Sequence, residues 1–121
     1  MIAFGERLQT LPRLDAFIAN AAIDVAQYKL VEAHESNMTI NIISTFLSAL
    51  LAIPVLTQSS KQLQRPTRLV ITGTVGHIFC DHTQLTRPQK GQIFQVLDDE
   101  ATANMADRYH ISKLVVLRAM R

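Results

Sequence analysis

Apolar positions along the chain gather into four stretches separated by polar ones. The first runs from Leu14 through Ala16, Phe17, Ile18 and Ala19 to Asn20, with the turn former Pro12 just ahead of it. A short, nearly continuous apolar run of this kind predicts a strand buried on both faces. A polar connection follows from about Asp24 to Glu35, with room for a helical turn. Ser36 or Asn37 then offers an N-cap, because a short side-chain oxygen can accept from the unpaired amides of a helix start. The helix so begun is expected to run to about Gln58.

That helix carries two apolar stripes at helical spacing. Ile40, Ile43, Leu47, Leu50, Leu51 and Pro54 form one, and Ile42, Phe46, Ala49 and Ile53 form the other. Between them lies a small, polar line of Asn41, Thr45, Ser48 and Ala52. A helix apolar on two sides is expected to pack on two sides, against a sheet and against another helix or subunit. Pro54 is expected to kink or end it, since its ring removes an amide donor and crowds the preceding turn. The stretch from Ile40 to Leu56 is not read as a membrane span, because Asn41, Ser44, Thr45 and Ser48 interrupt it and Pro54 sits inside it.

After a polar linker from Gln58 to Thr67, the β-branched run from Arg68 to Thr72 predicts a second strand, closed by Gly73. A long connection from Gly76 to Gly91 suits a substrate loop. Asp98, Asp99 and Glu100 then mark the start of a final helix reaching Arg121, where acidic side chains complement the helix dipole. The order strand, helix, strand, helix predicts an α/β fold with parallel strands. Residues 1–121 are read as a single domain.

Composition narrows the function classes. With 48% hydrophobic and 18% charged residues, the 121-residue chain is globular in type, and its net charge of +2 comes from scattered basic residues. Neither nucleic acid nor a membrane surface is indicated as a partner. Cys80 is the one cysteine, and the N-terminus lacks a basic stretch followed by an apolar run, so the expected compartment is the cytoplasm. His77, Cys80 and His82 lie close together, but their spacing matches no paired ligand pattern, and no metal site is expected. His110 reads as a surface or packing residue.

Tyr109 and Lys113 lie four apart on the last helix, so phenol and ammonium leave the same face. A free tyrosine titrates near ~10, and a neighbouring cation favours its phenolate. A phenol tuned in that way can exchange a proton with a carbonyl or alcohol oxygen. The pair alone is a weak signal, since the spacing is common in helices.

Three further segments arrive in a telling order. The run LDAFIANAAI, from Leu14 to Ile23, resembles a strand ending in Asn-Asn-Ala-Gly, with Asn20 at the second asparagine and Ala22 in place of the glycine. Asn41, in TINI, resembles a helix asparagine of a catalytic tetrad, and Leu69 to Gly76 (LVITGTVG) is similar to a strand ending at a catalytic serine, with Thr74 at that place. The stretch from Arg108 to Leu114 (RYHISKL) completes the set. Together these resemble the short-chain dehydrogenase/reductase family, in the style of its fungal and retinol-dehydrogenase-like members.

The resemblance implies a partial, Rossmann-like doubly wound fold with long flanking helices. It implies hydride transfer between NADP(H), or NAD, and a ketone or secondary alcohol, of the kind fungi use in secondary metabolism. Tyr109 would donate or accept the proton, Lys113 would assist it and bond the nicotinamide ribose, and Thr74 would hydrogen-bond the substrate oxygen. Asn41 would anchor a water in the proton relay, and Asn20 would shape the cofactor floor. Helices 36–58 and 101–121 correspond to those through which the family forms dimers.

Three departures accompany the match. Thr74 adds a β-branched methyl beside its hydroxyl, and Ala22 gives up the conformational range of glycine. Gly5, Gly73, Gly76 and Gly91 make no Gly-x-x-x-Gly-x-Gly turn, so the phosphate cradle of the family is not expected here. The competing reading is therefore a non-catalytic, truncated relative that serves as an interaction or dimerisation module.

Overall fold

In a computed structural model that describes every residue from Met1 to Arg121, the chain opens with α1 (Ile2–Gln9), β1 (Ala16–Ala19), β2 (Leu30–Val31) and β3 (His34–Glu35). It continues through α2 (Ser36–Met38), a π-helical stretch (Thr39–Ser44), α3 (Thr45–Leu63) and β4 (Arg68–Ile71). Then come a 3-10 turn (Val75–Ile78), α4 (Thr83–Thr86), α5 (Ile93–Leu97), a second 3-10 turn (Glu100–Thr102) and α6 (Arg108–Ala119). Two compact regions result. A sheet region takes Met1–Ala21 and Ser44–Thr72, and a polar region takes Ala22–Ile43 and Gly73–Arg121.

In the sheet region β1 and β4 pair in parallel, Phe17 opposite Leu69 and Ile18 opposite Val70. The ladder extends by one bond at each end, from Arg68 N to Asp15 O and from Thr72 N to Ala19 O. A parallel strand pair joined through a long helix is a partial Rossmann-like α/β arrangement. Leu8 of α1 and Ala52, Val55 and Leu56 of α3 form the core, with Leu14, Phe17 and Leu51 packed around them. Gly5 lets α1 approach α3, since a Cβ there would stand 3.2 Å from Leu51 Cδ2. Nothing in the N-terminal pattern had indicated α1. The buried Ser59 hydroxyl accepts from Leu14 N at 2.8 Å and so fixes the entry to β1.

The strand expected to be buried on both faces is not. Burial alternates along β1, and Ile18 is 61% exposed. A two-stranded sheet with one helical layer covers one face only. The long helix differs from expectation as well. Its most buried positions in this region are Thr45, Ala49, Ala52, Val55, Leu56 and Ser59, largely the small line and its continuation. Small side chains let α3 lie close to the sheet, while Leu47, Leu50 and Ile53 point outward at 39%, 63% and 43% exposure.

Pro54 does not end the helix, which continues to a left-handed cap at Gln64. Pro54 is exposed, where water can satisfy the carbonyl that its ring leaves unpaired. The stretch Ser36–Leu63 is long and apolar enough, by length and composition, to cross a bilayer, and 44% of its most apolar window is buried within the protein.

The polar region contains a hairpin where only a polar connection was expected. β2 and β3 are antiparallel, turning through Glu32 (φ 53) and Ala33 (φ 72). Two consecutive positive-φ residues make the tight turn that suits a two-residue hairpin. The segment from Gly76 to Gly91, foreseen as one long loop, carries two short helical turns, the 3-10 turn at Val75–Ile78 and α4, and α5 and a second 3-10 turn follow before the last helix. The last helix starts at Arg108, eight residues beyond Glu100, the last of the acidic cluster that had marked it. Asp99 instead caps the 3-10 turn at Ala101 N, and Asp98 serves the hairpin. Its carboxylate accepts from Glu35 N at 2.8 Å and meets His34 Nδ1 at 2.6 Å.

Candidate active site

Lys113 is buried on α6, four residues beyond the half-buried Tyr109. Its Nζ lies 6.0 Å from the centroid of the Tyr109 ring, so the two side chains converge as one helical turn allows. Burial pushes the Lys113 ammonium below the ordinary lysine value. Ser112, between them in sequence, points inward. Its hydroxyl donates to Tyr109 O at 2.6 Å and accepts from Asn41 Nδ2 at 3.0 Å.

Asn41 is fully buried within the π-helical stretch. The widened turn is a local departure of the kind that often accompanies functional sites. Its Oδ1 accepts from Ile23 N and its Nδ2 donates to Ile23 O, both at 2.8 Å. Asn41 therefore links the chain after β1 to the Tyr109 helix.

Thr74 precedes the 3-10 turn that packs on α6. Its Oγ1 accepts from Gly76 N at 3.1 Å, and His77 Nδ1 bonds its carbonyl. Gly76 lies close under His110, since a Cβ there would stand 2.4 Å from the ring and force it to shift. His110 is thus a packing residue, holding the Thr74 turn against the helix next to Tyr109. Asn20 lies in the sheet region at the end of β1, where its Oδ1 accepts from Thr72 Oγ1 at 2.9 Å. Cys80 is buried, its thiol donates to His77 O, and burial pushes that thiol up.

Several buried polar groups escaped the sequence reading. Glu35 is the N-cap of α2, not Ser36 or Asn37. Its Oε1 accepts from Ser36 Oγ and from both nitrogens of Asn37, and its Oε2 accepts from Met38 N. Arg108 is fully buried with Nε 3.9 Å from Glu35 Oε2, and its three guanidinium nitrogens make no hydrogen bond. Burial lowers the Arg108 guanidinium's proton affinity, while Glu35, Asp98 and Tyr28 raise it. Asn37 and Asn41, four apart, were the readable sign that one helix face is polar and buried.

Fold and site together define an α/β protein with a parallel strand pair and a tyrosine–lysine helix carrying a buried asparagine link. Along nearly all its length the chain is similar to proteins named short-chain dehydrogenases/reductases. It is 39% identical to short chain dehydrogenase/reductase dmxR8 of Cryptosporiopsis sp., over 98% of this chain and 37% of that protein. It is 33% identical to short chain dehydrogenase atnD of Emericella nidulans, over 98% of this chain and 38% of the relative. Short-chain dehydrogenase anuD of Penicillium roqueforti is 35% identical, with 98% and 30% covered. The chain thus spans about a third of the length of these relatives. No protein-family model and no solved structure matches it.

Proposed function

We propose that the chain carries the proton-transfer part of a short-chain oxidoreductase that interconverts a ketone and a secondary alcohol with NADP(H). The observation that supports this best is the buried Lys113 ammonium 6.0 Å from the Tyr109 ring, on a helix tied to Asn41 through Ser112. The fungal relatives, all named short-chain dehydrogenases, support a nicotinamide cofactor and a small-molecule substrate. A role in secondary metabolism agrees with those names.

The residues present suit one end of such a cofactor. An ammonium and a phenol on one helix face offer a donor and a donor–acceptor to a ribose diol. The pyrophosphate end has no matching cradle among this chain's glycines. Gly5 is packed inside the α1–α3 contact, Gly76 against His110, and Gly73 and Gly91 have nothing near them. When bound, the nicotinamide supplies or accepts the hydride. Tyr109 passes its phenolic proton to the substrate oxygen in reduction and takes it back in oxidation. Lys113 places a buried ammonium beside the phenol and would bond the ribose, while Thr74 would hydrogen-bond the substrate oxygen. Asn41 would anchor a water in the proton relay, and Asn20 would shape the cofactor floor.

Tyr109→Phe tests the assignment. Ketone reduction followed by loss of NADPH absorbance should fall by about 10²-fold or more, the usual contribution of a positioned acid. Retention of full turnover would remove the phenol from the mechanism. Calorimetric titration of the chain with NADPH should show binding weaker than about micromolar, for want of phosphate contacts. Tighter binding would mean that a phosphate site exists elsewhere in the chain.

A second reading is favoured by the outward apolar stripe of Leu47, Leu50 and Ile53. Such a stripe suits self-association through α3, the helix that corresponds to a family dimer helix. Sedimentation equilibrium of the chain and of Leu50→Glu reads this directly. A dimer lost in the variant supports it, and a monomer at all concentrations rejects it.

A further inference from the structure

Asn37 and Asn41 treat the segment after β1 in the same way. Asn37 Oδ1 accepts from Val25 N at 3.3 Å while its Nδ2 donates to Val25 O at 3.1 Å. Asn41 repeats the pattern on Ile23. Each side-chain amide presents one carbonyl and one N–H, as a backbone peptide does, so the pair imitates a neighbouring strand. The geometry explains the spacing. Asn37 and Asn41 lie about one helical turn apart on one buried face, and alternate residues of an extended chain turn their peptide groups to the same side. Ile23 and Val25 are half-buried and Asp24 between them is exposed, the alternation of a strand.

Two polar struts then run from this segment to the start of α6. One passes from Ile23 through Asn41 and Ser112 to the carbonyl of Tyr109. The other passes from Val25 through Asn37 Nδ2 to Glu35 Oε1, and on through the carboxylate to Arg108, the residue before Tyr109. Nδ2 is shared between Val25 O and the carboxylate, so Glu35 fixes which way the Asn37 amide faces. Every side chain in both struts is buried.

We infer that Asn37 is a positioning residue, which with Glu35 and Arg108 sets the Ile23–Val25 segment relative to Tyr109. Only the purpose of that placement, aligning the chain after Asn20 with the reactive phenol, rests on the oxidoreductase reading. The bond pattern makes its own claim, and it is tested without cofactor or turnover.

Amide exchange and ring signals of the full chain, followed by NMR, provide the test. In Asn37→Ala the Val25 amide should exchange at least about tenfold faster, the Ile23 amide less so, and the Val55 and Leu56 amides at the original rate. The ring signals of Tyr109, one of two tyrosines, should shift at the same time. A variant that merely loosens the protein would raise exchange evenly, and that result overturns the inference. So does an unchanged Val25 amide, or an exposed Val25 with unmoved Tyr109 signals. Should Asn37→Ala not fold, Asn37→Ser keeps a polar side chain too short to bridge Val25 and leaves the Glu35–Arg108 pair in place, with the same three outcomes. Absence of turnover in the unmutated chain counts against the proposed function and leaves the amide and ring signals to decide this one.

Discussion

The sheet region and the polar region both bury apolar side chains, Met38, Leu97, Ile111, Leu114 and Val116 among those of the second, but only the second adds a large set of buried polar groups. The first buries Leu8, Ala52, Val55 and Leu56 and leaves apolar side chains such as Leu50 and Ile18 facing outward. The second buries Glu35, Ser36, Asn37, Thr39, Asn41, Arg108, Ser112 and Lys113, whereas the sheet region buries only Thr45 and Ser59 among polar residues. Apolar packing is non-directional and tolerates adjustment. A buried polar network demands that each partner be in place, since an unpaired member costs far more than an intact pair contributes. That directionality suits the region holding Tyr109 and Lys113, where side-chain placement matters to chemistry.

The largest effect should come from breaking the one buried ion pair. Glu35→Gln leaves Arg108 without its counter-charge, and the expected loss is about 3–5 kcal/mol. Denaturant titration measures it. Adding Arg108→Met to the same chain should restore most of the loss, because a neutral, well-packed pair no longer needs compensation. A single variant as stable as the original would mean that Arg108 reaches water, and the contrast between the regions would weaken.

Next in size is the corresponding damage in the sheet region. Leu56→Ala removes a buried side chain from the cluster of Leu8, Ala52 and Val55, with an expected cost of about 2–5 kcal/mol depending on how far the site collapses. The two losses should differ in kind as well as size. Leu56→Ala should leave the Tyr109 ring signals unmoved, and Glu35→Gln should shift them. Equal response of Tyr109 to both changes would show that the two modes of packing are not separate.

How much of this was legible depends on whether the deciding interaction is local. β1, β4, the long helix and the convergence of Tyr109 with Lys113 follow from periodicity and i, i+4 spacing, which a sequence displays directly. The Glu32–Ala33 turn was hidden because neither residue is Gly, Asn or Asp, the usual signs of positive φ. Asp98 and Asp99 misled because acidic residues mark caps and turns as well as helix starts, and they serve the former here. The Glu35–Arg108 pair joins residues far apart in sequence, with no local signature in either. The buried face of α3 was misjudged for a different reason. Close approach to a sheet favours small side chains, so Thr45, Ala49 and Ala52 went inward and the large apolar stripe containing Leu50 remained outside.

The smallest expected effect concerns Lys113 and appears as a slope. Burial lowers its pKa in the folded protein, while the unfolded chain keeps the ordinary lysine value. Between those two values the unfolded state holds more protons than the folded one, so stability rises with pH across that window. Below the window both states are charged and the full desolvation cost opposes folding. Lys113→Met removes the titration and the cost together. The variant should therefore be the more stable at neutral pH, with the unmutated chain gaining on it as pH climbs toward the lysine range. Urea midpoints measured at a series of alkaline pH values read the difference. A gap that stays constant or widens with pH would show that the ammonium is well solvated, and Tyr109 would then face a screened charge in place of a buried one.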